Sequence, residues 1–144
     1  MTNAITNANK KVIQRLYKEI LEDWNMPLAD ELVADQFTSH DWPKGSPSGP
    51  EAFRNYYSNV IRSVLPDARY EVDDMIAEGD KVVVRWRLLG THKGNFLDIS
   101  PTGRWVTLKG IAIYRLEDSK VTERWVVTDL HGLLQKLKES PQVM

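Results

Sequence analysis

The sequence predicts an α+β fold: helices first, then a meander of four strands, then one closing helix. Three observations carry this. Apolar residues recur at helical spacing as far as Val64. From Ala68 to Thr128 the period changes to two. Leu130, Leu133, Leu134 and Leu137 then restore helical spacing. A twisted antiparallel sheet can curl around the long helices and enclose a conical space. The expected architecture is therefore a cone-shaped barrel, in which a curved antiparallel sheet packs on N-terminal helices and a short C-terminal helix closes the chain. At 144 residues the chain reads as one domain, 1–144.

Each element has its own justification. Ile13, Leu16, Tyr17, Ile20, Leu21 and Trp24 predict an amphipathic helix over about residues 8–24. Pro27 suits the first turn of a short second helix, "PLADELV". "SHDWPKGSPSGP" reads as loop, and Ser48 with Glu51 has capping-box spacing for a third helix. Phe53, Tyr56, Tyr57, Val60, Ile61 and Val64 continue that helix until Pro66 stops it. "ARYEVDDMIAEG", "KVVVRWRLLGTH", "WVTLKGIAIYRL" and "KVTERWVVT" read as strands, with turns at Gly79-Asp80 and "EDSK". A longer turn, "KGNFLDISPTGR", joins the middle two.

Composition narrows the function. Nineteen basic residues nearly cancel twenty acidic ones without a like-charged block, which argues against a nucleic-acid or anionic-membrane partner. The absence of cysteine excludes disulfides and a thiolate nucleophile or ligand. No run has the length of a signal peptide's apolar core or of a membrane span, so a cytoplasmic protein is expected. The three histidines show no metal-ligand spacing, so a metal site is not expected.

The strand pattern assigns an interior. Val106, Leu108, Gly110, Ala112, Tyr114 and Leu116 share one face, opposite Lys109 and Arg115, and Val82, Val84, Trp86 and Leu88 face inward on the preceding strand. Gly110 and Ala112 are small at the centre, where they either admit a bulky neighbour or leave room for a ligand. Trp86, Tyr114 and Tyr57 are candidate pocket walls. The last strand is ambiguous: hydrophobicity favours Trp125 inward, with Val121 and Val127, over Arg124 and Val126.

The segments "GPEAF", "PDARYEV", "AEGDKVVVRWR", "GTHKGNF", "SPTGR" and "ERWVVTDLHGLLQKL", with "FTSHDWP" before them, resemble in order and spacing the SnoaL-like polyketide cyclases of the nuclear transport factor 2-like superfamily. The resemblance implies a cone-shaped α+β barrel, commonly a homodimer through the outer sheet face. It also implies cofactor-free intramolecular aldol closure of a polyketide ester inside the cone. Its gap-free alignment turns Arg124 and Val126 inward and Trp125 outward. It also places Val126 where many relatives carry the acid/base carboxylate, and valine cannot move a proton.

The candidate catalytic residues are accordingly Arg124, His40 and Asp129, with Tyr57, Trp86, Leu108, Gly110, Ala112, Tyr114 and Val126 as candidate substrate-binding positions. Arg124 could stabilise an oxyanion, and His40, in a loop beside Asp41, could act as base. Asp129 either moves the proton or caps the last helix, and the two roles conflict because capping favours the ionised form. His92 reads as a turn residue or a catalyst, and His131 as solvent-facing. Two functions follow. One is a cofactor-independent cyclase or isomerase acting on a hydrophobic oxygenated small molecule. The other is a non-catalytic ligand-binding dimer of the same fold.

Overall fold

The computed structural model describes residues 2–139. Helix α1, Thr2–Arg15, runs on without a break into a π-helical segment, Leu16–Glu22. Val12, Ile13, Leu16, Tyr17, Ile20 and Leu21 form its buried stripe, which is the spacing read from the sequence. The chain turns at Trp24, where φ is 56°, and the Arg62 guanidinium lies 3.5 Å from the centre of that indole. A 3-10 turn, Met26–Leu28, leads into α2, Ala29–Leu32, and then strand β1, Val33–Ser39. Next come α3, Gly49–Asn55, a second π-helical segment, Tyr56–Ile61, and the single turn α4, Arg62–Val64. Ser48 stands at the N-cap of α3, yet its side chain makes no capping bond, so the expected capping box does not form.

Strands β2 (Arg69–Glu78), β3 (Lys81–Thr91), β4 (Trp105–Glu117) and β5 (Lys120–Thr128) form the expected antiparallel meander. The β4–β5 turn has positive φ at both Asp118 and Ser119, 49° and 63°, matching the right-handed twist of the strands it joins. Helix α5, Leu130–Lys138, closes the described chain.

The sheet departs from the expected one in a single respect. It has five strands in the order β1-β5-β4-β3-β2, and β1 lies parallel to β5, so it is mixed rather than purely antiparallel. The sequence hid β1 because "VADQFTS" does not alternate cleanly. Its burial pattern is irregular, and its register against β5 shifts between Val33 and Thr38. The α+β class stands. Helix α1 packs on β2 and β3, α3 on β1, and α5 on β4, so the core fills the concave side of the sheet. Phe53 belongs to that core, and Tyr57, Ile61, Trp86, Leu108 and Tyr114 face a common space within it. Among the described residues no helix is long and apolar enough to cross a membrane.

A break in the β4–β5 register resolves the ambiguous strand. Glu123 pairs with Arg115, but Val121 pairs with Leu116, so Thr122 is an extra residue and its hydroxyl bonds the Arg115 carbonyl at 3.1 Å. Such a bulge reverses the in/out alternation. Val121 is therefore buried before it, while Arg124 and Val126 face the concave side after it.

Candidate functional site

The concave side holds a cavity of about 370 Å³, within the size range of small-molecule sites. Its walls are largely apolar: Leu88, Val106, Leu108 and Val126 from the sheet, Leu65 from the end of α4, and Leu130, Leu133 and Leu137 from α5. Val60, Ile61 and Val64 line it from the third helical rod, and Phe96 from the β3–β4 connection. All five tyrosines of the chain line it as well. Tyr17 comes from the first π-helical segment and Tyr56 and Tyr57 from the second, while Tyr70 and Tyr114 come from β2 and β4. π-helical turns recur at functional sites because the extra residue re-aims side chains. Here both carry tyrosines into one space.

Arg124 reaches into this aromatic shell and is 2 % exposed. Its Nε donates to Ser39 Oγ at 2.9 Å, and its Nη1 donates to the Tyr57 hydroxyl. A guanidinium has five N–H donors, and these bonds use two. No carboxylate forms an ion pair with it among the described residues. The rings of Trp42, Tyr56, Tyr57 and Phe37 stand 5.4, 5.5, 5.7 and 5.8 Å from its central carbon. Each desolvated cation–π contact is worth up to roughly 2 kcal/mol, which offsets part of the cost of burying the charge. The nearest negative group acts through a hydroxyl: Ser39 Oγ donates to Asp41 Oδ1, and Asp41 sits at the exposed edge of the cavity.

The electrostatics follow from this burial. Burial pushes the phenols of Tyr17 and Tyr70 well above their ordinary value, and Tyr56 to about 12. Burial also raises Tyr57 and Tyr114, with Arg124 pulling both part of the way back. Every phenol is thus protonated at neutral pH and able to donate. Burial works against the charge of Arg124, but its surroundings (Tyr57, Tyr114 and Tyr56, then Asp41) outweigh that, and the net shift is upward. The guanidinium stays charged. The Tyr17 and Tyr114 hydroxyls bond each other at 2.7 Å, which fixes the inner end of the shell.

The positions read from the sequence divide cleanly. Arg124, Tyr57, Trp86, Leu108, Tyr114 and Val126 line the cavity. Ala112 is buried but does not line it. Gly110 gives its space to a neighbour, because a Cβ there would come within 3.0 Å of three atoms of the Trp86 indole. Asp129 caps α5, accepting the Gly132 amide at 3.0 Å, and does not line the cavity. His40 lies off the cavity, stacked on Trp125 at 4.8 Å and bonded to Glu123 at 2.8 Å. His92 pins the β3–β4 turn, its Nδ1 accepting the Thr102 amide at 3.2 Å, and His131 is exposed.

Ser39, Asp41, Tyr17, Tyr56 and Tyr70 were not named as site residues. Ser39 had its signal in strand period, since Phe37 and Ser39 share one buried face once the segment is read as a strand.

Comparison with known proteins agrees with this architecture. The family model for SnoaL-like polyketide cyclases matches residues 11–137. A candidate SnoaL-like polyketide cyclase from Jannaschia sp. CCS1 superposes with a TM-score of 0.81 at 27% identity, covering 95% of this chain and 96% of that one. A candidate polyketide cyclase from Bacillus cereus ATCC 10987 superposes with a TM-score of 0.74 at 28% identity, covering 90% and 80%. One from Streptomyces antibioticus gives 0.77 at 25% identity, covering 91% and 99%. No curated protein sequence matches. With the family model spanning nearly the whole chain, and the cone and its cavity formed as that family implies, this chain belongs to the SnoaL-like polyketide cyclase family.

Proposed function

We propose that the protein binds a small, mainly hydrophobic molecule bearing a carbonyl or phenolic oxygen and acts on it as a cofactor-free cyclase or isomerase that passes through an enolate. The observation that carries this reading is Arg124, a buried cation that forms no ion pair with a carboxylate among the described residues, aimed into a largely apolar cavity. Negative charge that develops on the ligand oxygen meets a fixed positive charge in a site shielded from water. Such preorganised stabilisation is worth far more there than in bulk solvent. The neighbouring phenols, held protonated, can donate to the same oxygen. The aliphatic walls take the hydrocarbon part of the ligand, and membership of the cyclase family agrees with an aldol-type ring closure.

A second reading has its own support. The family resemblance puts Val126 where many relatives have the acid/base, and no histidine lines the cavity among the described residues. A protein that binds the ligand without turning it over fits those facts. In either reading we propose a homodimer through the outer sheet face, where Ile111 pairs with Val127 and Ile113 with Trp125. Ile111 and Val127 are exposed in the single chain, and their apolar area favours burial.

Fluorescence titration with 2-naphthol and naphthalene tests the binding reading. A site built around a buried hydrogen-bond donor discriminates against the analogue lacking the oxygen, so 2-naphthol should bind at least about tenfold more tightly than naphthalene. Equal affinity would mean that only the apolar walls bind.

A further inference from the structure

An enolate route needs a base as well as a partner for the oxyanion. The family resemblance puts Val126 at the position of the relatives' base, and Asp129 and His40 stand off the cavity. Among the described residues that line the cavity, Asp41 is the sole carboxylate, and no histidine or lysine joins it.

Asp41 is also held in a way that suits proton transfer. Ser39, the last residue of β1, is 2 % exposed. Its hydroxyl accepts from Arg124 Nε and passes its own proton toward Asp41 Oδ1. That bond anchors one carboxylate oxygen and leaves Oδ2 without a hydrogen bond among the described residues. In the turn that follows β1, His40 takes the other side, where Glu123 holds it and Trp125 stacks on it. A direct Arg124–Asp41 ion pair would occupy the cation and the base together. The intervening hydroxyl keeps both available while holding them at a fixed separation.

From this geometry we infer that Asp41 is the proton-transferring group of the cavity, an inference that rests on the enolate reading above. Its free oxygen takes the proton from a carbon next to the ligand's carbonyl. The C–H electron pair becomes the new C=C bond, and the carbonyl oxygen becomes an enolate oxygen beside Arg124. In a ring closure the enolate carbon then bonds to a second carbonyl carbon of the same molecule, and that carbonyl's oxygen takes the proton back from Asp41. In an isomerisation the proton returns to a different carbon. Atoms and charge balance in both cases without a co-reactant.

The test uses 2-tetralone, a hydrophobic ketone whose benzylic protons are acidified by the carbonyl, and follows its hydrogen–deuterium exchange in D2O by proton NMR. 2-Naphthol binding and the melting temperature report separately on the cavity and the fold. Wild-type protein should accelerate exchange over buffer. Asp41→Asn should bind 2-naphthol as wild type does and lose that acceleration by about 100-fold or more, the lower range for a general base. Asp41→Glu should restore part of it. Wild-type exchange no faster than buffer, or Asp41→Asn exchanging at the wild-type rate, overturns the assignment while naphthol binding leaves the cavity reading intact. Loss of naphthol binding together with exchange in Asp41→Asn also overturns it, making Asp41 only a prop for Arg124 through Ser39. Wild-type protein that binds no 2-naphthol takes down both readings.

Discussion

The Trp86 indole occupies the space above Gly110, its cross-strand partner on β4. Neither residue has slack, since Trp86 is held against Tyr70 at 5.4 Å on its other side. Gly110→Ala forces the indole off its position and toward the cavity. Overpacking of this kind should lower the unfolding free energy by about 1–3 kcal/mol, read as a shift in the urea midpoint. An unchanged midpoint would mean that the glycine leaves empty space instead.

The tyrosine shell makes stability fall in alkali. All five phenols are raised, Tyr56 to about 12, so between their ordinary value near 10 and their raised values the unfolded chain binds fewer protons than the folded one. Stability from this source is fully present below about pH 10 and is lost as pH climbs through the raised range. Absorbance of tyrosinate should therefore appear together with unfolding, measured by circular dichroism. Ionisation of several tyrosines near pH 10 in the folded protein would show the shell to be wet.

Asp129 has a structural task. Its carboxylate accepts the Gly132 amide, so Asp129→Ala should cost about 1 kcal/mol and leave 2-naphthol affinity unchanged. His40→Ala, on the outer face, should likewise leave that affinity unchanged. A loss of affinity in either variant would place it at the ligand.

The outer sheet face should dimerise. Val127 is 75% exposed and stands beside Ile111, at 47%. Val127→Glu puts a charge into that patch, and sedimentation velocity should show a dimer for wild type and a monomer for the variant. A wild-type monomer at micromolar concentration contradicts the interface.

Much of the fold was legible because its periods are clean. The stripe from Ile13 to Leu21 and the alternation of Val82, Val84, Trp86 and Leu88 each have a single packing solution. Strand β1 was not legible. It is short and polar at Asp35, Gln36 and Thr38, and its partner is more than eighty residues away in the chain, as Ser39 opposite Arg124 shows. Missing β1 hid the approach of Ser39 to Arg124, and with it the Asp41 carboxylate that Ser39 holds at the cavity. β5 misled differently: Trp125 and Val121 share sequence parity, and only the bulge at Thr122 separates their faces. Arg124 inward thus came from family alignment rather than hydrophobicity, which would have hidden a charge from the core.

The central claim is that Arg124 is a buried cation offered to a ligand oxygen, and the ionisation of bound 2-naphthol measures this most directly. Its fluorescence distinguishes phenol from phenolate, so a pH titration of the bound ligand reads the field at that oxygen. In wild type the bound naphthol should ionise at lower pH than free naphthol, because a nearby positive charge favours the anion. Arg124→Met removes the charge at similar volume and leaves no carboxylate stranded, so the fold should persist. There the apolar cavity alone should push ionisation above the free value. Bound naphthol that ionises at the same pH in both proteins would contradict the account.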